Sequence, residues 1–93
     1  EYTEQVFKMY NGLKEDVVLQ FDQSLLGAVY DKFGEDTKVI RSSDTTLVAT
    51  VKVQISPTFW GWVFQFGGKM QLRSPATVVE EYLKHVLHAS RND

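Results

Sequence analysis

The apolar residues of this chain alternate between period-two and helical spacing, and the order of those switches sets the fold. In "DVVLQFD", Val17, Leu19 and Phe21 share one face and Val18 and Gln20 the other, the pattern of a half-buried strand near 17–22. "QSLLGAVYDKFG" then places Leu25, Leu26, Val29 and Phe33 on one helical face, with Asp22 or Ser24 to cap its start and Gly34 to stop it. "TKVIRSSDTTLVATVKVQI" reads as two β-branched runs, 37–42 and 46–54, broken at Ser43-Asp44 into a hairpin. Leu47, Ala49, Val51 and Val53 of the second run point inward. Val39 and Ile40 are adjacent, so only one of them can face the core, and the register of the first run stays open.

"SPTFWGWVFQFGG" predicts a second helix, capped by Ser56 with Pro57 in its first turn. At about 100° per residue, Phe59, Trp62, Val63 and Phe66 form one stripe with Trp60 at its shoulder, while Gly61, Phe64 and Gln65 lie on the other side. "KMQLR" follows as a strand near 69–73 with Met70 and Leu72 inward. Ser74-Pro75 opens a last helix whose stripe is Val78, Val79, Tyr82, Leu83 and Val86, with Glu80 and Lys84 paired on its wet side. Strand, helix, two strands, helix, strand and an added C-terminal helix predict an α+β fold. The arrangement is a ferredoxin-like split βαββαβ, a four-stranded antiparallel sheet in the order 4-1-3-2 with its helices on one face. Ahead of it, Tyr2, Val6 and Met9 recur at roughly helical spacing until Asn11-Gly12. We read 1–14 as a linker helix from an upstream domain and 15–93 as the domain itself.

Composition narrows the function. There is no cysteine among the 93 residues, which excludes disulfides, thiolate zinc sites and cysteine nucleophiles and suits a reducing, cytoplasmic setting. No apolar run approaches the length of a membrane span. The net charge of -2 gives no global attraction to nucleic acid, so anion binding requires local clustering. The alternation supplies one such cluster: with Val51, Val53, Met70 and Leu72 inward, Lys52, Lys69 and Arg73 face away, joined by Arg41 or Lys38 according to register, and by Gln20, Thr50 and Gln71. That surface is a candidate nucleic-acid or anion site, although cations also simply solvate an exposed β face. "LVATVKVQ" carries no ring, which argues against base stacking but not against backbone contact.

Most rings of "FWGWVFQF" read as core. Phe64 lies opposite the stripe, so Phe64 and Trp60 are the candidate interface residues. Glu81, His85 and His88 have metal-ligand spacing on the last helix, but no fourth ligand accompanies them and a solvated helix face accounts for them. We assign no metal, no cofactor and no catalytic residue: no nucleophile elbow and no phosphate-binding glycine loop appears, and the carboxylates cluster in turns and at helix ends.

Two stretches carry a family resemblance over about the whole chain. "MYNGLKEDVVLQFD" looks like the connector and first strand at the back of WYL-domain transcriptional regulators. "WVFQFGGKMQLRSP" resembles the signature of their C-terminal extension (WCX) domain, with Trp62, Phe66, Gly67, Leu72 and Pro75 standing where the family places its packing and turn residues. The resemblance implies a bacterial, cytoplasmic regulator with a winged helix-turn-helix and a WYL domain upstream. It implies for this chain a non-catalytic role in homodimer assembly and in sensing an effector, nucleic acid or nucleotide. Gly61 within a helix and the additional Trp60 depart from the pattern, and no Trp-Tyr-Leu stretch or helix-turn-helix is present here. The alternative is a stand-alone ferredoxin-like small-ligand sensor. An acylphosphatase-like enzyme is a poor match, because "FDQSL" offers no arginine to cradle phosphate after the first strand.

Overall fold

The computed structural model describes residues 14–91, with side chains as far as His88, so the linker helix expected over 1–14 lies outside the described residues. Its elements are β1 (Lys14–Asp22), a single 3-10 turn (Gln23–Leu25), α1 (Leu26–Phe33), β2 (Val39–Arg41), β3 (Thr46–Gln54), α2 (Pro57–Phe64), a second 3-10 turn (Gly67–Lys69), β4 (Met70–Ser74) and α3 (Ala76–Arg91). The sheet runs β2-β3-β1-β4, the expected order read from its other edge, and every neighbouring pair is antiparallel.

Strict alternation builds the core. Val17, Leu19 and Phe21 of β1, Leu47, Ala49, Val51 and Val53 of β3, and Met70 and Leu72 of β4 are buried on one face of the sheet. They form one cluster with Val29 of α1, Phe59, Trp60 and Val63 of α2, and Val78 of α3, so α1, α2 and α3 all cover that face. Local signals start and stop these elements. The Asp22 carboxylate accepts from Ser24 N at 2.9 Å, and Ser56 Oγ accepts from Phe59 N at 3.2 Å with Pro57 in the first turn of α2. Gly67 reverses the chain at φ 61°, a conformation that costs a residue with a Cβ and is free for glycine.

Four expectations change. β2 has three residues rather than six, and its register sets Ile40 opposite Val48 and Val39 opposite Ala49. Val39 therefore packs against the core and Ile40 stands 68% exposed on the other face. α2 presents Phe59, Trp60 and Val63 rather than Phe59, Trp62, Val63 and Phe66, and it ends at Phe64 after two turns, which leaves Phe66 beyond the helix. Its buried arc is rotated by roughly 60° towards Trp60. The Trp60 ring is 0% exposed, and its indole Nε1 is buried without an acceptor among the described residues. Trp62 is only half-buried. It lies edge-on to Phe33 (5.3 Å) and Phe66 (5.1 Å), stacks on Phe59 (6.4 Å), and has Lys32 Nζ 5.9 Å from its ring centre. Leu83 is 52% exposed although it shares the expected stripe of α3, of which Val78 is buried and Val79 and Tyr82 pack partly buried against the core.

Candidate functional site

The face turned away from the helices is built in rows by the strand register. Ile40, Val48, Gln20 and Gln71 stand side by side across β2, β3, β1 and β4. Thr50, Val18 and Ser74 form the next row, and Lys52 faces Asp16 in the one after. The β1–β4 ladder slips between Val18 and Leu19, which leaves Arg73 as an extra residue on β4. Apolar side chains thus occupy the middle of this face, with carboxamides and charges around them.

The structure sorts the four predicted cations. Lys52 is on the open face, but its ammonium lies 3.0 Å from the Asp16 carboxylate. Arg73 is also there, donating to Gln71 Oε1 at 3.2 Å. Lys69 belongs to the 3-10 turn before β4 and sits at the end of the face. Arg41 is elsewhere. Its partner on β3 is the buried Leu47, so it stands on the helix side of the edge strand. There its guanidinium donates to the carbonyls of Asp44 (2.7 Å) and Ser43 (3.3 Å) and to Gln23 Oε1 (3.4 Å), tying the hairpin turn to the start of α1. Lys38, the other register alternative, lines a concavity of about 290 Å³ with Phe33, Asp36, Thr37, Thr50 and Lys52. The basic cluster is therefore dispersed, and one of its members is already ion-paired.

A second concavity, of about 240 Å³, opens where β1, β3 and β4 end together, lined by Gln20, Asp22, Thr46, Gly68, Lys69 and Gln71. Asp22 and Lys69 are not in ion-pair contact. The Asp22 carboxyl is nonetheless held below its ordinary pKa, chiefly by its hydrogen bonds with Ser24 and further by the Lys69 charge. Sequence reading placed Gln20, Gln71 and Lys69 on one surface but passed over Asp22, Thr46 and Gly68. The signal that finds them is cross-strand pairing: Asp22 opposite Thr46, and Gln20 opposite Gln71.

Of the two interface candidates, Phe64 is 59% exposed, whereas Trp60 is sealed inside the domain against Phe59 and Tyr82 and offers no surface to a partner. Among the described residues, no group of three or more His, Cys, Asp or Glu is placed to hold a metal ion, Glu81, His85 and His88 included. No helix among them is long and apolar enough to cross a membrane.

Fold and surface together define an α+β domain with one buried and one open sheet face, the open face carrying hydrogen-bonding groups and charge. A family model, the WCX domain, matches residues 13–89, and the chain belongs to that family. No curated protein matches the chain significantly.

Proposed function

We propose that this chain is a non-catalytic regulatory module, the C-terminal extension of a WYL-type transcriptional regulator, acting in the cytoplasm in homodimer assembly and effector sensing. The observation that carries the reading is the family match over residues 13–89. The one-sided sheet with two covering helices between its strands supports the ferredoxin-like description, with α3 as the added helix. For assembly, the supporting feature is Phe64, a large ring left 59% exposed on a helix otherwise used for the core. For sensing, it is the open face, where Lys69, Arg73 and Lys38 remain for an anionic effector, a nucleic acid or a nucleotide.

The test is the complete reading frame that contains this chain. The proposal expects a winged helix-turn-helix and a WYL domain encoded upstream and a protein that shifts DNA from its own promoter. Replacing Lys69 and Arg73 by alanine then lowers the log–log salt slope of effector binding by about 0.7–0.9 for each phosphate that is no longer neutralised. A frame without a DNA-binding domain contradicts the regulator reading. It favours the second reading, a stand-alone small-ligand sensor, which the 240 Å³ concavity supports.

A further inference from the structure

The concavity at the end of β1, β3 and β4 brings together two carboxamides, a hydroxyl and both signs of charge. Its polar groups come from three strands and a turn, and most of them are unspent. Among the described residues, the half-buried Gln20 finds no hydrogen-bond partner for its carboxamide, and the Lys69 ammonium finds no ion-pair partner. Asp22 uses one oxygen on Ser24 N, and Gln71 uses its oxygen on Arg73, leaving its amide N–H groups to donate. Gln20, Asp22 and Thr46 are half-buried while Lys69 and Gln71 are exposed, and the half-buried groups gain from a ligand that completes their hydrogen bonds.

Gly68 lies in the lining of the same concavity. It is not in the positive-φ region, unlike Gly67 beside it, and a Cβ built on it meets no atom within 4 Å. Neither backbone strain nor crowding within the fold calls for glycine here. Its place in the lining makes it a position where a larger side chain can be introduced beside the concavity.

We propose that this concavity binds a small zwitterion, an α-amino acid with a hydrogen-bonding side chain. Lys69 receives the α-carboxylate, Asp22 the α-ammonium, and the paired carboxamides of Gln20 and Gln71 with the Thr46 hydroxyl read the side chain. One positive and one negative group line the site without neutralising each other, which complements a ligand of no net charge carrying both signs. Asp22, like any aspartate near its ordinary pKa, is ionised at neutral pH, and its hydrogen bonds with Ser24 favour the same state. A nucleotide fits less well: its phosphate meets a single lysine with an aspartate beside it, and the ring in the lining, Phe21, is 1% exposed and unavailable for stacking. The volume suits an amino acid.

The inference rests on the sensing part of the proposed function, assigns this concavity a zwitterion in place of the anionic effector, and equally serves the stand-alone sensor. The experiment is a two-dimensional ¹H–¹⁵N NMR titration of the 93-residue chain with L-glutamine as probe. N-acetyl-L-glutamine, L-glutamine amide and adenosine monophosphate are the comparison ligands. The expected result is a saturable shift of the amides of Gln20, Gly68, Lys69 and Gln71 with L-glutamine. Each capped form, lacking one of the two charges, binds at least about tenfold more weakly. Gly68→Leu, which fills the concavity without strain, abolishes the shifts while the rest of the spectrum stays folded. Asp22→Asn keeps the acceptor for Ser24 N and weakens L-glutamine more than L-glutamine amide is further weakened by Lys69→Ala. Equal binding of the capped forms, tighter binding of adenosine monophosphate, shifts that persist in Gly68→Leu, or no saturable shift overturns the proposal. Absence of an upstream DNA-binding domain removes the regulator reading and leaves this titration unaffected.

Discussion

The two faces of the sheet are made by the same strands and follow different rules. On the helix side, Val17, Leu19, Phe21, Leu47, Ala49 and Val51 are each exposed by 5% or less, and what matters there is shape and volume. On the other side Val18, Gln20, Val48, Thr50 and Lys52 alternate with them, and what matters is which residue stands beside which across the strands. Lys52 shows the difference: alternation along β3 makes it a free surface cation, and its pairing with Asp16 of β1 makes it half of an ion pair. A buried face is specified by a strand on its own, whereas an open face is specified only by the assembled sheet.

That contrast can be broken most severely at the tryptophans. Trp60→Ala should destabilise the domain by about 3–5 kcal/mol, because a fully buried ring leaves a cavity. Trp62→Ala, which removes a half-buried ring from between Phe33 and Phe66, should cost about 1–2 kcal/mol. Urea unfolding of both variants measures the ordering, and a larger loss at Trp62 would restore the helix phase expected from the stripe. Within β1 the same comparison is sharper because the residues are adjacent. Leu19→Ala should cost about 2–5 kcal/mol, and Gln20→Ala about 0.5 kcal/mol or less. Equal losses would mean that the open face is covered.

Smaller effects sharpen the account of the charges. A double-mutant cycle on Asp16 and Lys52 should give a coupling of about 0.2–1 kcal/mol, since both side chains are largely in water. A larger coupling would show that the pair is shielded by something lying on the open face. The smallest effect concerns Tyr82, packed 5.5 Å from Trp60, whose phenol burial raises above its ordinary pKa. A folded-state pKa above the unfolded one leaves stability unchanged below the unfolded value, about 10, and lowers it as pH rises beyond. Denaturation midpoints should therefore fall above about pH 10, and the fall should be reduced in Tyr82→Phe. An identical alkaline profile in that variant would place the titration elsewhere.

Much of the fold is legible in the residues alone. The alternation of Val17, Leu19 and Phe21, and of Leu47, Ala49, Val51 and Val53, fixes one face of the two central strands, and Ser56-Pro57 marks the start of α2, which ends at Phe64, short of the expected stop at Gly67-Gly68. The phase of α2 was not legible, because in two turns nearly every residue is apolar and the stripe has no polar boundary to locate it. In the structure Trp60 packs into the core against Phe59 and Tyr82, while Trp62 lies beside Phe33 and Phe66. The placement of Arg41 depended on β2 register, since Val39-Ile40 satisfies either alternative until the hairpin closes. The concavity was half legible: Gln20, Lys69 and Gln71 follow from strand direction, but Asp22, Thr46 and Gly68 meet them only through cross-strand pairs and the turn at Gly67–Lys69. Asp22 looked like a helix cap in the sequence, and it is one; its second role depends on where Lys69 arrives.

If one face of the sheet is committed to the core and the surface is left for partners, the exposed ring of α2 is the place to test it. Sedimentation velocity of the full-length protein carrying Phe64→Lys, alongside circular dichroism of the same sample, separates folding from assembly. The account predicts a native spectrum and thermal transition, because the side chain is 59% exposed, together with a dimer population shifted towards monomer. A folded variant with an unchanged dimer population would contradict it and reduce Phe64 to an ordinary surface residue.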